Sequence, residues 1–171
     1  TALSGPDPKD NFVMTADMNV SFLSAKNALA SAAALAHPVP SAQIRLSVDA
    51  SSSHVGAVLE QMVHARPQPL AFFSRKLIPA EVRYSTFDRE LLAVFAAIRH
   101  FRFILEGRQF TVMTDHKPLV TAIARVSPPW SPRQQRQLAF ISEFTSNLQH
   151  IPGKENLVAD ALSRPSTGLP T

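Results

Sequence analysis

Four acidic residues stand in four separate motifs of the chain. They are Asp49 in Leu46-Ser47-Val48-Asp49-Ala50-Ser51, Glu90 in Asp88-Arg89-Glu90-Leu91-Leu92-Ala93-Val94, Asp115 in Thr114-Asp115-His116-Lys117-Pro118-Leu119, and Asp160 in Asn156-Leu157-Val158-Ala159-Asp160-Ala161-Leu162-Ser163-Arg164. Each interrupts an apolar element, where an unpaired charge is costly. Four converging carboxylates can hold two hard divalent cations, and two such cations can drive in-line attack on a phosphodiester. The acids therefore point to metal-dependent phosphodiester chemistry.

Such a site needs elements that bring the acids together. Ile44, Leu46 and Val48 alternate with Arg45, Ser47 and Asp49, the pattern of a half-buried strand. A second apolar run covers residues 55–63. The segment His64 to Gln68, with Pro67, reads as a hairpin loop, and a third strand follows over 70–74. Short connections make these three an antiparallel meander. Residues 85–105 carry the longest helical periodicity, with Ser85 or Thr86 as cap and Gly107 placed to stop it. A fourth strand spans 110–115, a short helix 117–124, a proline-rich loop 126–132 and a further helix 133–147. A fifth strand covers 148–151 and a last helix 155–163. This order predicts an α/β layered domain with a mixed sheet.

Asp49 and Asp115 fall at the carboxyl ends of predicted strands. If those strands are parallel neighbours, both carboxylates emerge on the sheet edge where open α/β sheets place ligands. Taken singly, a strand-end Asp is also a common turn former. Glu90 shares its helix face with Val94, Ala97 and Phe101, so it points along the packing face, unless its place near the helix start leaves it solvated. Asp160 lies on a short amphipathic helix, where a surface carboxylate is the plain alternative. Arg75, Lys76, Lys117, Arg133 and Arg136 are candidates for phosphate contacts, although a single basic residue is more often a solvated charge. His116 could assist the chemistry or cap its loop. Trp130 could pack on the domain or stack on a nucleotide.

The net charge of +4 and pI near 10.0 suit a polyanionic partner. Without cysteine there is neither disulfide nor thiolate metal site, which fits a reducing compartment. No apolar run reaches the ~18 residues of a membrane span, and residues 1–10 carry no signal pattern. The apolar spacing over residues 20–35 predicts a helix, ended by His37-Pro38-Val39-Pro40. Residues 1–40 thus read as a remnant of an upstream region plus a linker, 41–164 as the main domain and 165–171 as a disordered tail. The chain looks like a segment of a longer polypeptide.

Residues 44–164 resemble the ribonuclease H domain of reverse transcriptases from long-terminal-repeat retrotransposons of the Ty3/gypsy type. The resemblance rests on Val48-Asp49-Ala50-Ser51, Gly56-Ala57-Val58-Leu59, Phe73-Ser74-Arg75-Lys76-Leu77, Tyr84-Ser85-Thr86, Glu90-Leu91-Leu92-Ala93, Thr114-Asp115-His116-Lys117-Pro118-Leu119 and, most specifically, the run from Ile151-Pro152-Gly153-Lys154 to Ala159-Asp160-Ala161-Leu162-Ser163-Arg164. It implies a ribonuclease H-like α/β fold, a five-stranded mixed sheet with helices on both faces. It implies cleavage of the RNA strand of an RNA–DNA hybrid, with Asp49, Glu90, Asp115 and Asp160 as catalytic and metal-binding carboxylates. It also implies two Mg²⁺ ions, for which Mn²⁺ can substitute, and no small-molecule cofactor. An upstream reverse transcriptase domain in the same polyprotein, and an intracellular site in a cytoplasmic particle or the nucleus, complete the expectation. The chain departs in one respect from cellular and retroviral ribonucleases H, which carry a His in a loop before the last acid. The loop here holds only Pro152, Gly153, Lys154 and Glu155. The alternative is a domesticated or inactive module of the same fold that binds nucleic acid or acts as a structural domain.

Overall fold

The computed structural model describes residues 36–124, 129–145 and 147–164. The helix expected over 20–35, the tail 165–171 and residues 126–128 of the expected loop lie outside the described residues. Strands β1 (Gln43–Ala50), β2 (His54–Val63) and β3 (Arg66–Lys76) form the expected meander. A short helix α1 (Pro79–Val82) leads into the long helix α2 (Thr86–Leu105). Then come β4 (Phe110–Thr114), α3 (Lys117–Ala124), α4 (Pro132–Phe144), β5 (Leu148–His150), a 3-10 turn over Gly153–Glu155 and α5 (Leu157–Ser163). The five strands form one sheet in the order β3-β2-β1-β4-β5. The first three pair antiparallel, whereas β1–β4 and β4–β5 are parallel, so the sheet is mixed as expected.

Alternation along β1 and β2 divides the sheet into two faces. Ile44, Leu46, Val48, Val55, Ala57 and Leu59 join the main core with Leu91, Val94, Ala97, Ile98 and Phe101 of α2. The opposite face carries Gly56, and there a Cβ would meet the backbone of α5. Helices therefore cover both faces. Helix α2 begins at Ser85, whose side chain accepts the Asp88 N–H, and Gly107 follows it at φ +72°.

Several boundaries differ from the sequence reading. Strand β3 starts at Arg66, because His64 and Ala65 make a two-residue turn with φ of 51° and 60°. Positive φ at both positions fits the right-handed twist of a tight hairpin. Pro67 and Pro69 are tolerated because β3 is an edge strand, and its register slips opposite Leu59 and Glu60. Helix α1 is too short to show periodicity. Helix α4 ends at Phe144, since Thr145 is extended and its hydroxyl donates to the Phe110 carbonyl. It starts at Pro132, which is accommodated in a first turn, behind a capping box of Ser131 and Gln134.

Candidate active site

Strands β1 and β4 run parallel with Ser47 opposite Met113, so two residues further on Asp49 and Asp115 leave the sheet side by side. Helix α2 contributes Glu90 from its first turns, and the Ala50 N–H hydrogen-bonds to that carboxylate. Oxygens of Asp49, Glu90 and Asp115 all lie within 4.8 Å of one another. Asp49 and Glu90 are only 7% and 4% exposed. One buried oxygen of Glu90, Oε2, has no hydrogen-bond partner. Such an orphan is expensive unless a cation or a proton meets it. Three hard oxygen donors and an unpartnered buried oxygen fit a hard divalent cation.

The electrostatics agree with the crowding. Burial pushes the Glu90 carboxyl up to about 8, and the charges of Asp49 and Asp115 add to the rise. Burial also raises Asp49, with the Ser163 hydrogen bond opposing and the charges of Asp115 and Asp160 adding. In the metal-free protein the unfolded chain releases the Glu90 proton near its ordinary value of 4.5, whereas the folded chain holds it to about 8. Stability from this group is complete below the ordinary value and declines as pH rises toward 8. Glu90→Gln should remove that decline and stabilise the metal-free protein at pH 8 by up to ~4 kcal/mol. Denaturant unfolding of both proteins between pH 5 and 8 checks it, and parallel stability curves would refute the burial of this charge.

Asp160 is not part of the three-acid group. Its Oδ1 accepts from Arg164 Nε and Nη2 at 3.0 and 2.9 Å. It still lies close enough to Asp49 for its charge to be felt there.

Helix α5 brings Asp160 to this edge and is seated by polar contacts at both ends. Asn156 Nδ2 donates to the Val48 carbonyl at 2.8 Å. Ser74 donates to the Leu162 carbonyl at 2.5 Å, and Ser51 donates to the Ser163 carbonyl. Beneath it, Gly56 leaves room for the helix backbone. The loop before α5 also touches the site, for a Cβ on Gly153 would lie 3.0 Å from Asp115 Oδ2.

The basic candidates divide. Arg133 stands 3.9 Å over the Tyr84 ring and pairs with Asp88 at 3.3 Å. Asp88 also accepts from Gln134 at 2.8 Å, so these contacts join α4 to the start of α2. Arg75 forks onto Glu81 at 2.9 and 3.2 Å, anchoring α1. Both arginine candidates thus have structural partners in the fold. Those partners escape sequence reading because Tyr84, Glu81 and Asp88 are distant or irregularly spaced along the chain. Lys76, Lys117 and Arg136 are exposed. Trp130 stacks on Phe87 at 5.8 Å and 11°, so it packs on the domain. Phe87 also approaches the His116 ring at 6.1 Å. Burial holds the His116 imidazole below its ordinary range, against the pull of Asp115.

Two residues at the site do not stand out in the sequence. Ser163 reads only as part of a motif, yet its hydroxyl donates to Asp49 Oδ2 at 2.5 Å. Asn156, the residue before α5, reaches the Val48 carbonyl next to Asp49. A buried Ser and a helix-start Asn carry no periodic signal that marks them.

Comparison with known proteins agrees with this geometry. Residues 39–144 match the model of the RNase H-like domain found in reverse transcriptase. The chain is 36% identical over 153 residues to the retrovirus-related Pol polyprotein from transposon 412 of Drosophila melanogaster, covering 90% of this chain and 12% of that one. It is 37% identical over 142 residues to the transposon Tf2-3 polyprotein of Schizosaccharomyces pombe, covering 81% and 11%. The chain thus spans only 11–12% of the length of these curated relatives. Among solved structures, LC11-RNase H1 in complex with RNA/DNA hybrid shares the fold, with a TM-score of 0.53 and 19% identity over 71% of this chain and 92% of that one. The chain therefore belongs to the RNase H-like domains found in reverse transcriptase, of the Ty3/gypsy retrotransposon type.

Proposed function

We propose that this domain hydrolyses the RNA strand of RNA–DNA hybrids as part of a retrotransposon reverse transcriptase. The observation that carries the reading is the convergence of Asp49, Glu90 and Asp115, with Glu90 Oε2 buried and unpartnered. These residues would hold Mg²⁺, for which Mn²⁺ can substitute, and Asp160 would join them as the fourth carboxylate of a two-ion site. When bound, such ions polarise the phosphate and supply the attacking hydroxide. The protein contributes orientation. The Ala50 N–H holds Glu90, the parallel β1 and β4 set Asp49 beside Asp115, and docked α5 carries Asp160 to the same edge.

Selectivity for hybrid would come from groove shape and contacts to 2′-hydroxyls. The likeness to LC11-RNase H1, solved with an RNA/DNA hybrid, supports that partner. The transposon polyprotein relatives support an upstream reverse transcriptase domain as the covalent neighbour, with residues 1–40 as the connection. They also support an intracellular site of action. Among the described residues no helix is long and apolar enough to cross a membrane.

Phosphate contacts fall to the exposed Lys76, Lys117 and Arg136. Arg136→Ala should reduce the slope of log affinity against log salt by ~0.9 on a duplex. Arg133→Ala should leave the slope unchanged and instead loosen α4 from α2. Fluorescence anisotropy over a salt series from roughly 50 to 200 mM separates the two, and a flattened slope for the Arg133 variant would reverse the assignment.

The function is tested by incubating the chain with a hybrid labelled on either strand, in Mg²⁺ or in chelator. Only the RNA strand should shorten, and only with metal. Hybrid binding without cleavage would favour the inactive-module alternative.

A further inference from the structure

Ser163, the last residue of α5, is fully buried at 0% exposure. Its hydroxyl donates to Asp49 Oδ2 at 2.5 Å and lies 2.9 Å from the Asp160 carbonyl. Its own carbonyl accepts from the Ser51 hydroxyl, and its backbone nitrogen lies 2.5 Å from where a Cβ on Gly56 would stand. The residue is thus held from two sides, and its hydroxyl meets a carboxylate of the three-acid group.

We propose that Ser163 is a positioning residue of the metal centre. By holding one oxygen of Asp49 it fixes the rotation of that carboxylate, so that Asp49 meets the cation it would share with Glu90 and Asp115. The proposal rests on the metal-site reading above. A hydroxyl that donates to a carboxylate makes a charge-assisted bond, stronger than a neutral one. Partners that orient metal-binding carboxylates typically contribute roughly 10–100-fold in metal affinity. The hydroxyl is not the main anchor of α5, since Asn156, Ser51, Ser74 and Gly56 already seat that helix. Its removal should therefore act on the metal more than on the fold. The contact also ties α5 to the acids a second time, through the Ser163 bond to Asp49 as well as through Asp160.

Mn²⁺ uptake by the full chain, read from the electron paramagnetic resonance signal of free Mn²⁺, tests this. Ser163→Ala should bind Mn²⁺ roughly 10-fold or more weakly, while its metal-free thermal midpoint stays close to that of the unaltered chain. Should the alanine variant fail to fold, Ser163→Cys retains bulk with a far weaker donor and should show the same loss. A folded variant of either kind with unaltered Mn²⁺ affinity overturns the role of Ser163. Failure of the unaltered chain to take up Mn²⁺ would instead overturn the metal-site reading, and this proposal with it.

Discussion

Asparagine in place of Asp115 is expected to abolish hybrid cleavage while leaving the fold intact. The amide keeps the size and polarity of the side chain but removes the charge that would hold the metal. Metal ions supply several kcal/mol of transition-state stabilisation, and each ~1.36 kcal/mol is tenfold in rate, so the loss should be about a thousandfold or more. Thermal stability without metal should not fall and should tend to rise. Asp115 is one of the charges that raise the proton affinity of Asp49 and Glu90, so its removal relieves repulsion among the acids. Single-turnover cleavage and a thermal melt of the same preparation check both halves. Full Mg²⁺-dependent cleavage by the folded variant would exclude Asp115 from the site.

Gly56→Ala should produce the largest structural effect. A Cβ there would lie 2.5 Å from Ser163 N, 2.6 Å from Ala159 O and 2.6 Å from Leu162 C. All three are backbone atoms, so no side chain can swing aside. Helix α5 must lift from β2, and Asp160 and Ser163 move with it. Overpacking of this kind costs ~1–3 kcal/mol, which lowers the melting temperature by roughly 2–12 °C in a chain of this size. Metal affinity should fall in parallel. Gly107→Ala is the contrast, with φ +72° but nothing within 4 Å, so only backbone strain is added. A Gly56→Ala variant as stable as the parent would mean that α5 does not lie on β2 as described.

The fold is legible in the sequence wherever periodicity is long. The alternation through Ile44, Leu46 and Val48 and the helical spacing from Leu91 to Phe101 set β1 and α2, and with them the positions of Asp49 and Glu90. Asp115 is legible because it closes the short run of β4, a strand buried along its whole length. Less visible are features that depend on tertiary partners. Strand β3 absorbs Pro67 and Pro69 only because it lies on the sheet edge, a fact of topology rather than of local sequence. Arg133 looks like a free cation until Tyr84 and Asp88 are seen beside it. The expectation for Asp160 is the instructive case. Its motif groups it with the other acids, and its helix does carry it to their edge, yet its carboxylate is held by Arg164 rather than within the three-acid group. An exposed ion pair of this kind contributes little, so it poses a small barrier to Asp160 joining a bound cation.

Side-chain carboxyl titration by ¹³C NMR, with and without Mg²⁺, reaches the metal site most directly. Without metal, Glu90 should hold its proton to about pH 8 and Asp49 should titrate above its ordinary value. With saturating Mg²⁺, Asp49 and Glu90 should both be ionised at neutral pH, with resonance changes concentrated on those two, Asp115 and Asp160. Ordinary midpoints for Asp49 and Glu90, unmoved by Mg²⁺, would contradict a shared metal site.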